Sequence, residues 1–169
     1  MHIDIRDLQE GENEFTFEES PEALHIHDET LHFVLPIKTR LSLYKLGASI
    51  TVKGETVFHL RHECVRCLQP FEVKEAIPLH FVLQQGRPED LEDDSDEILI
   101  WLDNKAEQLD LGTEIKDYIL LEIPVKPICK ESCAGLCAQC GENLNVQQCD
   151  CTNEKIDPRW EALRALKDT

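Results

Sequence analysis

Apolar and polar positions alternate in EFTFE, where Phe15 and Phe17 fall on one face of an expected strand. From Leu31 to Leu83 the chain is rich in β-branched and aromatic residues, which predicts a run of strands. Lys53-Gly54 reads as a turn between strands near 48–53 and 55–63. The chain then reverses through Cys64–Cys67 and returns as a strand near 70–83, so this cysteine pair is expected at the tip of an antiparallel hairpin. HIDI, near the start, predicts a short edge strand, and ILIWL (98–102) a further strand.

The period changes after Asp110. In DLGTEIKDYILLEIP, Leu111, Ile115, Tyr118 and Ile119 share a face of a helix expected over 111–122, with Asp110 as its cap and Pro124 as its stop. In DPRWEALRALKD, Asp157 suits an N-cap and Pro158 the first helical position, while Trp160, Leu163 and Leu166 form a stripe. That stripe is expected to pack on the body; a docking helix for a partner is the alternative. The patterns together predict an α+β fold, an antiparallel β-rich body with a few helices and zinc-knuckle elements. The expected division is a β-rich main domain, 1–136, that includes the first cysteine site, and a small zinc-binding module with a terminal helix, 137–169.

Composition narrows the class. A chain of 169 residues, 41% hydrophobic, can bury one ordinary core. No apolar run approaches transmembrane length, and the polar, acidic start predicts no signal peptide. A reducing compartment, the cytoplasm, is therefore expected. Clustered cysteines there read as metal ligands rather than disulfides.

There are eight cysteines in four close pairs: Cys64/Cys67, Cys129/Cys133, Cys137/Cys140 and Cys149/Cys151. A pair separated by two residues can turn both sulfurs toward one tetrahedral ion, and Gly141 after Cys140 suits such a turn. Two four-thiolate zinc sites follow, one from Cys64, Cys67, Cys129 and Cys133, the other from Cys137, Cys140, Cys149 and Cys151, with two zinc ions per chain expected. An iron–sulfur cluster is the lesser alternative, since the pairs lack a ferredoxin-type run. His59 and His62 could replace a cysteine; with eight thiols present they are expected on opposite faces of a strand.

A catalytic zinc keeps one position open, and four thiolates leave none. No nucleophile–base arrangement and no glycine-rich phosphate loop stands out, so no enzyme and no small-molecule substrate is expected. Net charge is −17, with 27 acidic and 11 basic side chains in residues 1–125 but 7 and 6 in residues 126–169. Such a body repels phosphate at long range and attracts basic partners. Lys126, Lys130, Lys155, Arg159, Arg164 and Lys167, with Arg61 and Arg66 beside the first knuckle, leave direct RNA contact open. PEDLEDDSDE (88–97) carries seven acidic residues and reads as a solvated loop. A ribonuclease using Asp93, Asp94 and Asp96 is a remote alternative, and a zinc-thiolate redox sensor a closer one.

ECVRCLQPF, LLEIPVKPICKESCAGLCAQCGENLNVQQCDC and DPRWEALRALKD, in this order and spacing, resemble the bacterial YceD-like family, that of the large-subunit ribosomal RNA accumulation protein, also present in plastids. The resemblance covers the chain from about residue 60 onward, with a loosely matching β-rich start. It implies support of 23S rRNA accumulation and large ribosomal subunit biogenesis, by binding an assembly intermediate or a basic ribosomal protein. The family's upstream pair and its downstream pair spaced by three residues correspond to Cys64, Cys67, Cys129 and Cys133. Some members lack the second cluster, matched here by Cys137, Cys140, Cys149 and Cys151. The resemblance supplies no catalytic residues.

Overall fold

The structure, a computed structural model, describes residues 1–28, 31–86, 98–151 and 159. The chain divides into two compact units, one of Met1–His62 with Phe71–Val125, the other of Glu63–Pro70 with Lys126–Thr169. The first cysteine pair thus falls in one unit with the C-terminal part of the chain.

Among the described residues the elements are β1 (His2–Asp4), β2 (Gly11–Glu19), β3 (His32–Phe33), β4 (Ile37–Leu46), β5 (Ser49–Glu63), β6 (Pro70–Gln85), β7 (Leu99–Leu102), β8 (Gln108–Asp110) and one α-helix, α1 (Gly112–Glu122). The main sheet runs β2-β4-β5-β6-β7, with β3 also paired to β5. β2 lies antiparallel to β4 from Gly11↔Lys45 to Glu19↔Ile37, and β4 antiparallel to β5 from Lys38↔Val57 to Leu46↔Ser49. Six residues join β5 to β6, too few for a parallel crossover, so these neighbours form a hairpin as expected.

Period-two patterning places the core. Ile37, Thr39, Leu41 and Leu43 of β4 are buried, as are Ile50, Val52, Thr56, Phe58 and Leu60 of β5 and Ile77, Leu79, Phe81 and Leu83 of β6. Thr39 and Thr56 stand opposite each other in register, and their hydroxyls bond to one another at 2.9 Å, so neither is left unpaired in the core. Ile115 and Ile119 of α1 belong to the same core, and Tyr118 donates its hydroxyl to the His80 carbonyl at 2.7 Å. The helical face read from sequence is therefore the buried one.

Several expectations are corrected. Lys53-Gly54 is no turn; the reversal is Gly47-Ala48, with Gly47 at φ 57, and β5 runs straight through Gly54. Gly54 lies opposite Leu41, where a Cβ would collide with the Arg40 carbonyl and sit 2.9 Å from Leu41 Cδ2. Its glycine serves close strand approach. The short edge strand expected at HIDI is present as β1, in a two-stranded ribbon with β8 rather than in the main sheet, His2↔Asp110 to Asp4↔Gln108. The body is mixed rather than wholly antiparallel, since β7 runs parallel to β6, Val82↔Leu99. Asp110 accepts the Gly112 N–H at 3.0 Å, but the cap position itself is Leu111. The acidic stretch 88–97 and the terminal stripe of Trp160, Leu163 and Leu166 lie outside the described residues. No helix among the described residues is long and apolar enough to cross a membrane.

Replacing Gly54 by alanine is expected to lower stability by about 3 kcal/mol, the upper range for overpacking, because backbone rather than a flexible side chain stands in the way. Urea denaturation followed by circular dichroism measures it; a loss no larger than that of an exposed-strand substitution contradicts the close approach.

Candidate metal centre

The eight cysteines come together as two groups, Cys64/Cys67/Cys129/Cys133 and Cys137/Cys140/Cys149/Cys151, and in each the four sulfurs lie within 4.8 Å of one another. These are the two sets read from spacing. Both belong to the second compact unit.

Two local turns of the same design present the sulfurs. In the first, the Cys64 N–H donates to the Gln69 carbonyl at 3.0 Å and the Leu68 N–H to the Cys64 carbonyl at 2.8 Å. In the second, the Cys137 N–H donates to the Glu142 carbonyl at 2.8 Å and the Gly141 N–H to the Cys137 carbonyl at 2.9 Å. The residue after each second cysteine takes a left-handed backbone, Leu68 at φ 56 and Gly141 at φ 76. Glycine accepts this freely; leucine is strained there. The remaining sulfurs of the first group arrive on a separate stretch, tied on by the Val65 N–H to the Pro127 carbonyl and the Leu136 N–H to the Arg66 carbonyl, both at 3.0 Å.

The separations fit one ion per group. Cys64 and Cys133 sulfurs are 3.8 Å apart, as are those of Cys67 and Cys129. Four sulfurs about 2.3 Å from a tetrahedral centre have edges of about 3.8 Å, whereas a disulfide requires about 2.05 Å. Burial fits as well. The apolar core lies wholly in the first unit, while the buried hydrophobic side chains of the second, among the described residues, are Cys64, Cys67 and Cys133. The second group is more open, with Cys140 and Cys151 exposed.

Charge is distributed unevenly within each group. Burial raises the Cys64 thiol, but the amides of Cys129, Cys67 and Arg66 outweigh it and bring the thiol down to about 6. Burial, with the neighbouring thiols, pushes Cys129 up to about 12. The amides of Cys140 and Gln139 bring Cys137 down to about 6, while the neighbouring thiols, Cys140 foremost, push Cys151 up to about 12. Each group thus offers a prepared thiolate, and crowded sulfur resists losing the remaining protons. A divalent cation removes that resistance.

The two cations expected as a contact face beside the first knuckle are engaged elsewhere. Arg61 donates to Glu72 at 2.8 and 3.2 Å, and Arg66 to the carbonyls of Glu131 and Cys133 at 3.0 and 3.2 Å. Lys126 and Lys130 are exposed. His59 and His62 sit in β5 outside both sulfur groups; His62 lies against Phe71, ring centroids 5.8 Å apart, and burial lowers its pKa. Sequence reasoning missed Asn145, whose Nδ2 donates to Cys133 Sγ at 3.4 Å. Nothing in its spacing marked it.

A family model described as large ribosomal RNA subunit accumulation protein YceD matches residues 52–167, a span that contains all eight cysteines. The chain belongs to the YceD family. Among curated YceD relatives, the chloroplastic large ribosomal RNA subunit accumulation protein YCED homolog 1 of Arabidopsis thaliana is 31% identical over 122 residues, covering 68% of this chain and 38% of that protein. An uncharacterized protein of Mycobacterium tuberculosis is 32% identical over 125 residues, 73% of this chain and 58% of its own. The YlbN protein of Bacillus subtilis is 28% identical over 125 residues, 72% of this chain and 66% of its own. The chain thus spans less than two thirds of the length of the first of these relatives. No solved structure gives a significant match.

The two YceD turns predict opposite responses to substitution. Gly141→Ala is expected to cost about 1 kcal/mol by imposing left-handed strain on the second turn, whereas Leu68→Gly relieves it and leaves the first turn at least as stable. Resistance of the cadmium-loaded variants to a competing chelator reads both; equal losses at both positions would show that Leu68 is held by something other than its backbone.

Proposed function

We propose that this chain is a non-enzymatic factor supporting 23S rRNA accumulation in large ribosomal subunit biogenesis, working in the cytoplasm. Cys64, Cys67, Cys129 and Cys133 hold one zinc ion and Cys137, Cys140, Cys149 and Cys151 another. The observation that carries this reading is that the family match, 52–167, spans both sulfur groups. Zinc suits four thiolates at these separations, and four ligands leave no position for water or substrate. The bound ion supplies a structural cross-link and no reaction.

Charge chooses between partners. The chain carries −17, and each four-thiolate zinc site adds about two further negative charges. This favours a basic ribosomal protein, alone or on a precursor particle, over direct RNA contact. Depletion of the protein is expected to lower the ratio of 23S to 16S rRNA selectively, with unprocessed precursor ends; an unchanged ratio sinks the assembly role. Protein purified without chelator is expected to carry two zinc ions per chain, and elemental analysis showing none overturns the metal reading.

The exposure of Cys140 and Cys151 favours a second reading, a redox sensor. Two thiolates there would give two electrons to a peroxide, forming one disulfide and, with two protons, two waters, and releasing the ion they held. Release by mild peroxide, reversed by thiol and zinc, supports it; release only at doses that unfold the chain rejects it.

A further inference from the structure

We propose that Asn145 is a positioning residue that couples the two sulfur groups, so that filling the second raises the affinity of the first for its ion. The inference rests on the metal reading above and extends it to how the two sites communicate.

Asn145 belongs by chain position to the second group, between Cys140 and Cys149, yet its side chain serves the first. Its Nδ2 donates to Cys133 Sγ at 3.4 Å, and its Oδ1 accepts the Ala134 N–H at 2.9 Å. The side chain is itself held, since Asn143 Oδ1 accepts from both the Asn145 main-chain N–H, at 3.0 Å, and Nδ2, at 2.9 Å. The main chain reinforces this seat. Leu144 donates its N–H to the Gly135 carbonyl at 2.9 Å, and Asn143 forms an antiparallel bridge with Leu136.

An N–H directed at a ligating sulfur spreads thiolate charge and fixes the sulfur's direction, and loss of such a partner typically lowers metal affinity about 10- to 100-fold. To these hydrogen bonds the second group adds a constraint on the loop that carries the donor. Residues 141–148 bury no side chain, and Val146 is 82% exposed, so packing gives this loop little order of its own. Drawing Cys137 and Cys140 together with Cys149 and Cys151 fixes both ends of the loop and so seats Asn145 over Cys133. Linkage makes the effect reciprocal, and an ion in the first group equally favours the loop conformation that closes the second.

The full chain loaded with cadmium-113 tests this, each group giving its own resonance, assigned with a Cys140→Ser/Cys151→Ser variant that lacks the second site. Asn145→Ala is expected to shift the first group's resonance and lower its cadmium affinity about tenfold in chelator competition. Emptying the second group by Cys140→Ser/Cys151→Ser should weaken the first by a similar factor, and adding Asn145→Ala to that background should weaken it no further. Asn145→Asp keeps the shape but loses the N–H, and should behave as the alanine variant; wild-type affinity in it would reduce Asn145 to a packing role. Strictly multiplicative losses, or no change with Asn145→Ala, overturn the coupling while leaving two metal sites. Failure of either group to take cadmium overturns the metal reading itself.

Discussion

Four sulfurs crowded within 4.8 Å of one another, twice over, are the constraint on which the second unit depends. Deprotonated, they repel one another; protonated, they contribute little more than small apolar surfaces. The first unit has no such difficulty, since β4, β5, β6 and α1 bury a continuous apolar cluster. Among its described residues, the second buries Cys64, Cys67 and Cys133 in place of leucine and phenylalanine. Where the described residues bury so little apolar surface, a cross-link offsets chain entropy. Each four-sulfur group could supply one by holding a metal ion.

The two turns show which features of this design are general and which are local. Both use the same pair of main-chain hydrogen bonds, and both end in a left-handed residue. In one that residue is Gly141; in the other it is Leu68, 53% exposed and therefore gaining little from burial to offset its strain. The hydrogen-bond frame and the sulfurs, not the residue type at the fifth position, define the turn. Exposure then separates the sites. The first is enclosed by the 127–136 stretch, whereas two sulfurs of the second face solvent. Asn145 is the element that ties the open site to the enclosed one.

Much of this was legible in the sequence because short-range spacing and period determine it. The four close cysteine pairs were legible from spacing, although spacing alone does not part Cys133 from Cys137, four residues apart like Cys129 and Cys133 and yet in the other group, and the buried face of α1 follows from Leu111, Ile115 and Ile119 at helical spacing. The Gly54 error has an equally physical source. A glycine after lysine reads as a turn when only neighbours in sequence are considered, but its role is set by Arg40, fourteen residues upstream and across a strand pair. The parallel β6–β7 pairing and the β1–β8 ribbon were hidden for the same reason, because periodicity shows which face of a strand is buried and not which strand lies beside it. Asn145 was invisible because an asparagine between cysteines has no spacing rule; only the fold brings its amide to a sulfur twelve residues back.

The same separation between local and long-range information bears on function. Spacing points to two four-sulfur groups, and an ion held by four thiolates would have no open position for catalysis. On the surface, the cations nearest the first knuckle are already committed, Arg61 to Glu72 and Arg66 to two carbonyls of the chain that carries Cys133. Arg66, though exposed, thus also ties the chain that carries Cys133 to the first turn. An excess of 17 negative charges repels phosphate at long range, while Arg66, Lys126 and Lys130 remain exposed in the second unit. The partner proposed above, a basic protein, is the one whose charge this acidic body complements.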